Sequence, residues 1–220
     1  MILPFIFQSL KILDFKGFNM KKIKILNLYA GIGGNRKLWN EVDSNIEVTA
    51  VEFDENIAKA YQDRFSNDTV VVGDAKEYLL ENYKHFDFVW ASPPCQTHSR
   101  VRKARVDCKE NKFGSAKAIY PDMSLYQIII FLKSHFKGYF VVENVIPYYQ
   151  PLVNPDYSID RHFYWSNFFI WNINIEKKVI IEHTKIIDLK DFDLSIYKNI
   201  KNKTQVIRNQ VDYAAGKHIL

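Results

Sequence analysis

The sequence predicts an α/β fold in which a mostly parallel sheet carries helices on both faces. Apolar runs typical of buried strands, beginning with residues 22–29 (KIKILNLY), alternate along the chain with segments of helical periodicity. Turn-forming residues follow these runs, with glycines in residues 31–34 and prolines at positions 93 and 94. Strands separated by helices pair in parallel, and 220 residues suffice for one well-buried core, so we expect a single domain over residues 1–220.

The first strand, over residues 22–29, ends in a glycine-rich turn, and a helix is expected from about Asn35. The glycines let the backbone turn tightly and approach a ligand, although their spacing is not the dinucleotide pattern G-x-G-x-x-G. A second strand, over residues 47–53, ends near Glu52. An acidic side chain at this place in a βαβ unit can accept hydrogen bonds from the two hydroxyls of a ribose. The alternative is a solvated carboxylate at a strand end.

A helix over residues 56–65 and a short third strand over residues 70–72 lead to Asp74. Its carboxylate can accept from the exocyclic amine of an adenine or cap the helix that follows, and both interpretations stay open. That helix extends to about Tyr83, and the next strand covers residues 86–91. This rhythm of strand and helix is typical of βαβ units.

The second half of the chain continues the alternation. A helix over residues 121–135 precedes a strand over residues 138–142, which ends directly before Glu143. An aromatic strand is expected over residues 161–171, with residues 179–181 as a candidate to pair with it. A helix over residues 209–220 is expected to end the chain.

Cys95 follows the strand over residues 86–91 on a turn stiffened by Pro93 and Pro94. A cysteine without a partner is most often a small buried hydrophobe. Here the polar run of residues 96–100 (QTHSR) follows it, which favours a partly exposed nucleophile. Nearby cations, or a helix N-terminus after the turn, are expected to raise the thiolate fraction above the few per cent of a free thiol.

The excess positive charge of the chain lies directly after Cys95. Residues 98–117 contain seven basic and two acidic side chains, which accounts for the whole net charge of +5. Charge runs are usually solvated surface, but one beside a candidate nucleophile indicates a polyanionic substrate. The candidate nucleic-acid contacts here are Gln96, Arg100, Arg102, Lys103 and Arg105.

The composition excludes several classes of protein. No apolar run is long enough to span a bilayer, and the apolar start lacks the basic region and cleavage site of a signal peptide. Residues 1–20 are therefore expected to be an N-terminal extension, with Met20 as an alternative start. Two cysteines fit a reducing compartment, and the histidines lack metal-ligand spacing, so no metal is expected.

Three motifs, in this order, resemble the DNA cytosine-5 methyltransferase family: residues 29–34 (YAGIGG), 94–96 (PCQ) and 143–145 (ENV). The resemblance covers about residues 25–161 and reappears at Asn209. It implies a Rossmann-like class I methyltransferase fold, S-adenosylmethionine as cofactor and double-stranded DNA as substrate. The implied reaction is methylation of cytosine at carbon 5, on a base flipped out of the duplex.

The resemblance also assigns roles to individual residues. Cys95 corresponds to the nucleophile of the family, and Glu143 to the glutamate that holds ring nitrogen 3. Arg161 corresponds by position to the second arginine of a Gln-x-Arg-x-Arg motif, which contacts the cytosine, although Ile159 and Asp160 precede it in place of the first arginine. The implied cofactor-binding residues are Tyr29, Gly31, Gly33, Gly34, Glu52, Phe53, Asp74, Ala75, Pro94 and Asn209, with Tyr29 and Phe53 stacking on the adenine.

Two other functions stay open: a cytosine-5 methyltransferase of tRNA, and a regulatory subunit without activity, although the latter predicts loss of Cys95 or Glu143. An amino-methyltransferase would need neither residue. The family usually has a large target-recognition region where this chain has only residues 182–206. We therefore expect a short degenerate target site or a separate specificity subunit, with a cognate endonuclease as a further partner. The expected location is the cytoplasm of a prokaryote or of a phage-infected cell.

Overall fold

The structure, a computed structural model, describes residues 21–107, 117–171 and 192–220. In these residues the chain forms one sheet of seven strands. The strands are β1 (Ile23–Leu28), β2 (Ile46–Glu52), β3 (Thr69–Val72), β4 (Phe88–Ala91), β5 (Tyr139–Val145), β6 (Tyr157–Ile159) and β7 (His162–Ser166).

The strand order in the sheet is β3-β2-β1-β4-β5-β7-β6. The five strands from β3 to β5 are parallel, whereas β7 runs antiparallel to both β5 and β6. The chain builds the sheet outward from β1 on one side and from β4 on the other. The boundary between β1 and β4 is therefore the switch point at which open α/β sheets bind ligands. The mostly parallel sheet that the sequence predicts is confirmed.

Helices connect the parallel strands and complete the domain. The α-helices are α1 (Trp39–Val42), α2 (Glu55–Arg64), α3 (Ala75–Asn82), α4 (Arg100–Asp107), α5 (Ser124–His135), α6 (Lys203–Arg208) and α7 (Tyr213–Ile219). Two 3₁₀ helices, Asn35–Leu38 and Tyr83–His85, precede α1 and follow α3. Within the described ranges, we find no helix whose length and apolar character would let it cross a bilayer.

Successive residues of the central strands enter hydrophobic clusters on opposite faces of the sheet, as the twofold period of a strand requires. Leu26 and Val89 belong to the cluster that contains apolar side chains of α3 and α5. Their neighbours Ile25 and Phe88 belong to the cluster that contains Trp39 of α1 and Ile219 of α7. Both faces are thus covered by helices, which explains why the central strands are continuously apolar.

The structure differs from the predicted elements in several places. β5 extends through Val145, because β7 pairs with all of residues 141–145, so Glu143 lies inside a strand and not after it. The aromatic stretch contributes only β7, and the short strand β6 before it was not predicted. Residues 179–181, the candidate partner strand, lie outside the described residues.

Part of the segment assigned to target recognition packs onto the catalytic domain. Leu194 and Ile200 are buried in a cluster with Ile32 of the glycine-rich turn and Ala60 of α2. The hydroxyl of Tyr197 also donates to a carboxylate oxygen of Asp63 over 3.0 Å. Residues 182–191 and the N-terminal residues 1–20 lie outside the described residues, so their predicted roles stay predictions.

Candidate active site

The carboxyl ends of β1, β4 and β5 lie along one edge of the sheet, where the chain carries the three predicted motifs. The glycine-rich turn follows β1, Cys95 follows β4, and Glu143 lies near the end of β5. β4 lies between β1 and β5. The sheet therefore brings together motifs that are far apart in sequence, at the edge where ligands bind.

Hydrogen bonds hold the turn that carries Cys95. The side-chain amide of Asn144 donates to the carbonyl oxygen of Pro93 over 2.9 Å and so ties the turn to β5. Within the turn, the backbone N–H groups of His98 and Ser99 donate to the carbonyl oxygen of Cys95 over 3.0 and 3.1 Å. The half-buried Cys95 is thus placed on a stiff turn, as the two prolines predict.

The surroundings of Cys95 raise the pKa of its thiol, which corrects our expectation of an increased thiolate fraction. Burial has the largest effect because it disfavours the charged form, and the negative charge of Glu143 acts in the same direction. A hydrogen bond from the backbone of Cys95 itself lowers the pKa but does not outweigh them. In the protein alone, Cys95 is therefore mainly a neutral thiol at neutral pH, and it is electrostatically coupled to Glu143.

Glu143 is buried, and the antiparallel pairing of β5 with β7 determines its neighbours. Glu143 is opposite Tyr164 in the ladder, and Val145 is opposite His162. Since side chains two residues apart share a face of a strand, His162 and Glu143 lie on the same face. The Nε2 atom of His162 lies 3.4 Å from Oε1 of Glu143, and the imidazole is one-third exposed, at 33%.

The structure does not bring Arg161 to Glu143. The side chain of Arg161 is 84% exposed, and its Nε atom lies 3.6 Å from a carboxylate oxygen of the adjacent Asp160. Asp160 has a positive φ of 50°, which makes a sharp turn directly before β7. The predicted contact of Arg161 with the cytosine has no support in this geometry, which places the neighbouring residue beside Glu143.

The glycine-rich turn after β1 uses its glycines for two different purposes. Gly31 and Gly33 have positive φ values of 55° and 76°. A Cβ on Gly33 would lie 2.3 Å from the ring of Phe65, so Gly33 is needed for packing. A Cβ on Gly31 would meet no atom of the described residues within 4 Å, so the backbone there borders open space. That space suits a ligand held against the end of β1.

Glu52 links the ends of β1 and β2. Its carboxylate accepts hydrogen bonds from the backbone N–H of Gly31 over 2.9 Å and of Asp54 over 3.0 Å. Burial raises the pKa of Glu52, although these hydrogen bonds act in the opposite direction. The carboxylate is therefore not simply solvated at the end of the strand. Its remaining lone pairs can accept hydrogen bonds from ribose hydroxyls.

Glu52→Ala is expected to weaken binding of S-adenosylmethionine by a factor that corresponds to about 1–3 kcal/mol, because a charged hydrogen-bond acceptor is lost. Isothermal titration calorimetry measures this affinity. Glu47→Ala, at an exposed position of the same strand, is the matched control and should leave the affinity unchanged. Equal affinities for wild type and Glu52→Ala would restrict Glu52 to a structural role.

The remaining predicted cofactor residues have different surroundings. Phe53 is 77% exposed beside Glu52, so its ring face is available for stacking. Asp74 caps α3 by accepting from the backbone N–H groups of Lys76 and Glu77, which is the second of the two interpretations that the sequence left open. Ala75 is buried in the hydrophobic core, and its side chain does not face an open site.

The other predicted cofactor residues lie around the same edge of the sheet. Tyr29, which also has a positive φ, is half-buried directly before the glycine-rich turn, and Pro94 is exposed next to Cys95. A Cβ on Gly34 would lie 2.6 Å from the carbonyl oxygen of Val211, so the turn packs closely against the segment after α6. Asn209 lies exposed in that segment, and its contact with the cofactor stays a prediction.

The basic stretch begins as helix α4 and not as a loop. Arg100 donates through Nε to the carbonyl oxygen of Pro147 over 3.2 Å, and Arg102 donates through Nη2 to that of Lys117 over 3.0 Å. Lys103 forms an exposed ion pair with Asp107 at 2.6 Å. Gln96 and Arg105 are exposed as well. These residues thus present positive charge beside Cys95, while residues 108–116 lie outside the described part.

Two buried polar networks were not predicted from the sequence. His98 is fully buried, its Nδ1 atom forms a hydrogen bond with the hydroxyl of Tyr149, and burial lowers the pKa of its imidazole. This bond ties the turn of Cys95 to the segment after β5. The sequence offers no signal for it, because Tyr149 is 51 residues away.

The second network lies beneath the glycine-rich turn. Nε and Nη2 of Arg36 donate to the two carboxylate oxygens of Asp68 over 2.8 and 2.9 Å, and the hydroxyl of Tyr61 donates to the same carboxylate over 2.8 Å. All three side chains are buried. Since the rings of Tyr61 and Phe65 border Gly33, this network supports the turn from below.

Comparison with known proteins adds the following findings. Residues 23–151, more than half of the chain, match the family model described as C-5 cytosine-specific DNA methylase. No curated protein sequence matches the chain.

Several solved structures are similar to parts of the chain. The methyltransferase EhMeth of Entamoeba histolytica is 18% identical, with a TM-score of 0.36 over 57% of this chain and 38% of that chain. A DNMT2 variant of Spodoptera frugiperda is 24% identical, with a TM-score of 0.38 over 56% and 36% of the two chains. A putative DNA modification methyltransferase encoded within a prophage of E. coli is 21% identical, with a TM-score of 0.38 over 59% and 34%. The matched part thus spans little more than a third of each of these proteins.

Proposed function

Because the chain belongs to the C-5 cytosine-specific DNA methylase family, we propose that it transfers a methyl group from S-adenosylmethionine to carbon 5 of cytosine in DNA. The chain is a methyltransferase with the predicted Rossmann-like fold of the class I enzymes. The observation that supports the finer proposal is that Cys95 follows β4, whose neighbour β5 carries Glu143, and that the negative charge of Glu143 raises the pKa of the thiol. A nucleophile coupled to an acid is the pair that this reaction needs.

Cys95 acts on carbon 6 of the ring. Carbon 5 of cytosine is too weak a nucleophile to take a methyl group unaided. When the thiolate forms a bond to carbon 6, the electron pair of the 5,6 double bond moves toward carbon 4 and the electrons of the 3,4 bond move onto nitrogen 3. The ring becomes an enamine whose carbon 5 is nucleophilic.

Glu143 donates a proton in the first half of the reaction and takes it back in the second. In its protonated form it donates to nitrogen 3 as thiolate addition places an electron pair there. When carbon 5 bonds to the methyl group and the bond from that methyl group to sulfur breaks, the proton on nitrogen 3 returns to Glu143. Loss of the proton on carbon 5 to a base and cleavage of the bond to Cys95 then restore the aromatic ring and the thiolate.

The end of β1 offers the chemistry that a bound S-adenosylmethionine needs, and this molecule supplies an electrophilic methyl group. Open space beside Gly31 accepts a ligand close to the backbone. Glu52 provides a carboxylate for the ribose hydroxyls, and Phe53 provides an exposed ring face for the adenine. Gly31 follows β1, which is next to β4, whereas Glu52 and Phe53 lie at the end of β2 on the other side of β1, so a cofactor held there would lie near the turn of Cys95.

The charge around Cys95 supports a nucleic acid as substrate, and the family that residues 23–151 match supports DNA. Nearly all the charges on α4 are basic, and the helix begins five residues after the nucleophile. A cytosine inside a duplex is inaccessible, so it has to be flipped out at a cost of a few kcal/mol. Cationic side chains at the edge of the site offset this cost by holding the phosphates.

Bisulfite sequencing of DNA and tRNA from a host that expresses the chain tests the proposal. Methylated cytosines in DNA, absent from a host that expresses Cys95→Ser, are the expected result. Methylation confined to tRNA would transfer the proposal to an RNA substrate. Methylation of neither nucleic acid by purified, cofactor-binding protein would contradict catalysis and indicate a regulatory subunit.

Replacing Lys103 and Arg105 together with alanine is expected to reduce the salt dependence of DNA binding. Each phosphate contact contributes nearly one unit to the slope of log K against log salt, so the slope should fall by about 1–2 units. Arg102 is left intact, because it holds the backbone at Lys117. Fluorescence anisotropy with a labelled duplex at several salt concentrations measures the slope.

The matched control replaces Lys84 and Lys137, which are also exposed. They lie at the amino ends of β4 and β5, the opposite edge of the sheet from Cys95. Their removal should leave the slope unchanged. If both double variants alter the slope equally, the charges of α4 have no special relation to DNA.

A further inference from the structure

We propose that His162, and not Arg161, is the side chain that contacts the target cytosine beside Glu143, and that it does so as a hydrogen-bond donor. This inference rests on the proposed function. Three features of the described residues support it. They are the register of β5 against β7, the contact between His162 and Glu143, and the exposure of the Arg161 side chain.

The register fixes which side chain faces the site. Glu143 is opposite Tyr164, and His162 precedes Tyr164 by two residues in the same strand. His162 therefore shares the face of Glu143, and its Nε2 atom lies 3.4 Å from Oε1 of the carboxylate. The imidazole is one-third exposed, at 33%, whereas the Glu143 side chain is nearly buried, at 9%. His162 is thus the more accessible member of the pair.

The backbone of Arg161 is held at the start of β7. Its carbonyl oxygen accepts from the backbone N–H of Ile146 over 3.0 Å, which fixes the backbone against the end of β5. Its side chain lies in solvent beside Asp160, 84% exposed.

The chemistry of cytosine supports a donor next to Glu143. The ring presents nitrogen 3 and the adjacent carbonyl oxygen O2 as acceptors along one edge. When Cys95 adds to carbon 6, the electron pair on nitrogen 3 is delocalised onto O2. Glu143 donates a proton to nitrogen 3, and the imidazole of His162 places an N–H donor at O2. Both groups therefore bind the developing charge more strongly than they bind the unreacted base.

The test compares wild type with His162→Ala, His162→Arg and Arg161→Ala in methyl transfer to duplex DNA. His162→Ala is expected to lower the rate by about 10²–10³-fold, the usual loss when one donor to a developing oxyanion is removed. Arg161→Ala should be nearly silent. His162→Arg, which keeps an N–H donor at this position, should retain activity within about tenfold of wild type. A strictly structural role of His162 would not be restored by a guanidinium.

A second measurement does not depend on methyl transfer. The affinity of each variant is measured for a duplex whose target cytosine is mispaired and for the same duplex with an abasic site there. Wild type and Arg161→Ala should prefer the cytosine, and His162→Ala should lose the preference while calorimetry shows intact S-adenosylmethionine binding. If wild type prefers the cytosine but transfers no methyl group, the proposed function fails and this inference stands. A preference unchanged in His162→Ala, a greater loss in Arg161→Ala, or a His162→Arg variant as inactive as His162→Ala would overturn the inference.

Discussion

Cys95→Ser is expected to abolish methyl transfer, with a rate loss on the order of 10⁴–10⁶-fold, the range seen when a covalent nucleophile is removed. A serine hydroxyl is far less acidic than a thiol, so an attacking alkoxide is scarce at neutral pH. The turn itself is held by the backbone and by Asn144, and neither depends on the sulfur. Methyl transfer from radiolabelled S-adenosylmethionine measures the activity, and calorimetry should show unchanged cofactor affinity.

Two controls accompany the Cys95 experiment. Cys108→Ser, at a position outside the described residues, is the matched substitution and should keep full activity. A duplex with 5-fluorocytosine at the target, which cannot lose a proton from carbon 5, should trap a covalent adduct at Cys95 in the wild type. An adduct at another residue, or activity of Cys95→Ser within about tenfold of wild type, would be incompatible with the mechanism.

Asp68→Ala is expected to destabilise the domain by about 3–5 kcal/mol, because it leaves the guanidinium of Arg36 buried without its carboxylate partner. Both nitrogens of the Arg36 pair lie within 2.9 Å of Asp68, and Tyr61 loses its acceptor as well. The same change should weaken S-adenosylmethionine binding, since Tyr61 borders Gly33 in the cofactor turn. Urea denaturation followed by circular dichroism gives the free energy of unfolding.

The matched control for Asp68 is Asp107→Ala. It breaks the ion pair with Lys103, which lies exposed on α4. Exposed pairs contribute about 0–1 kcal/mol, so this variant should unfold almost like wild type. If the two variants have similar free energies of unfolding, the ion pair of Arg36 and Asp68 does not stabilise the glycine-rich turn as its buried geometry indicates.

Several features of the site follow from the sequence because the signals are local. The two prolines before Cys95 stiffen the turn whatever surrounds them, and the positions that the glycine-rich turn needs are set by backbone conformation. The alternation of apolar runs and helical segments predicts the parallel sheet, and the sheet brings the ends of β1, β4 and β5 together. The amino-acid pattern alone therefore suffices to place Cys95 and Glu143 at one edge of the sheet.

The identity of the group beside Glu143 could not be predicted in this way. The motif position favours Arg161, but the positive φ of Asp160 and the pairing of β7 with β5 direct His162 toward the carboxylate. The higher pKa of the Cys95 thiol also depends on burial and on Glu143, a residue distant in sequence. The same is true of the bond between His98 and Tyr149 and of the Arg36–Asp68 pair, which join residues 51 and 32 positions apart.

The amino-acid sequence by itself determined the fold class, the glycine-rich turn and the positions of the proposed nucleophile and its proposed acid partner. The tertiary structure alone decided which side chain lies beside Glu143 and in which direction the pKa of the Cys95 thiol is shifted. It also decided which residues support the glycine-rich turn and the turn of Cys95. The physical reason is that periodicity and turn conformation depend on neighbours along the chain. Electrostatic coupling depends on distances between residues that are far apart in sequence. The same is true of which side chains lie opposite each other in a sheet, and only folding brings such residues together.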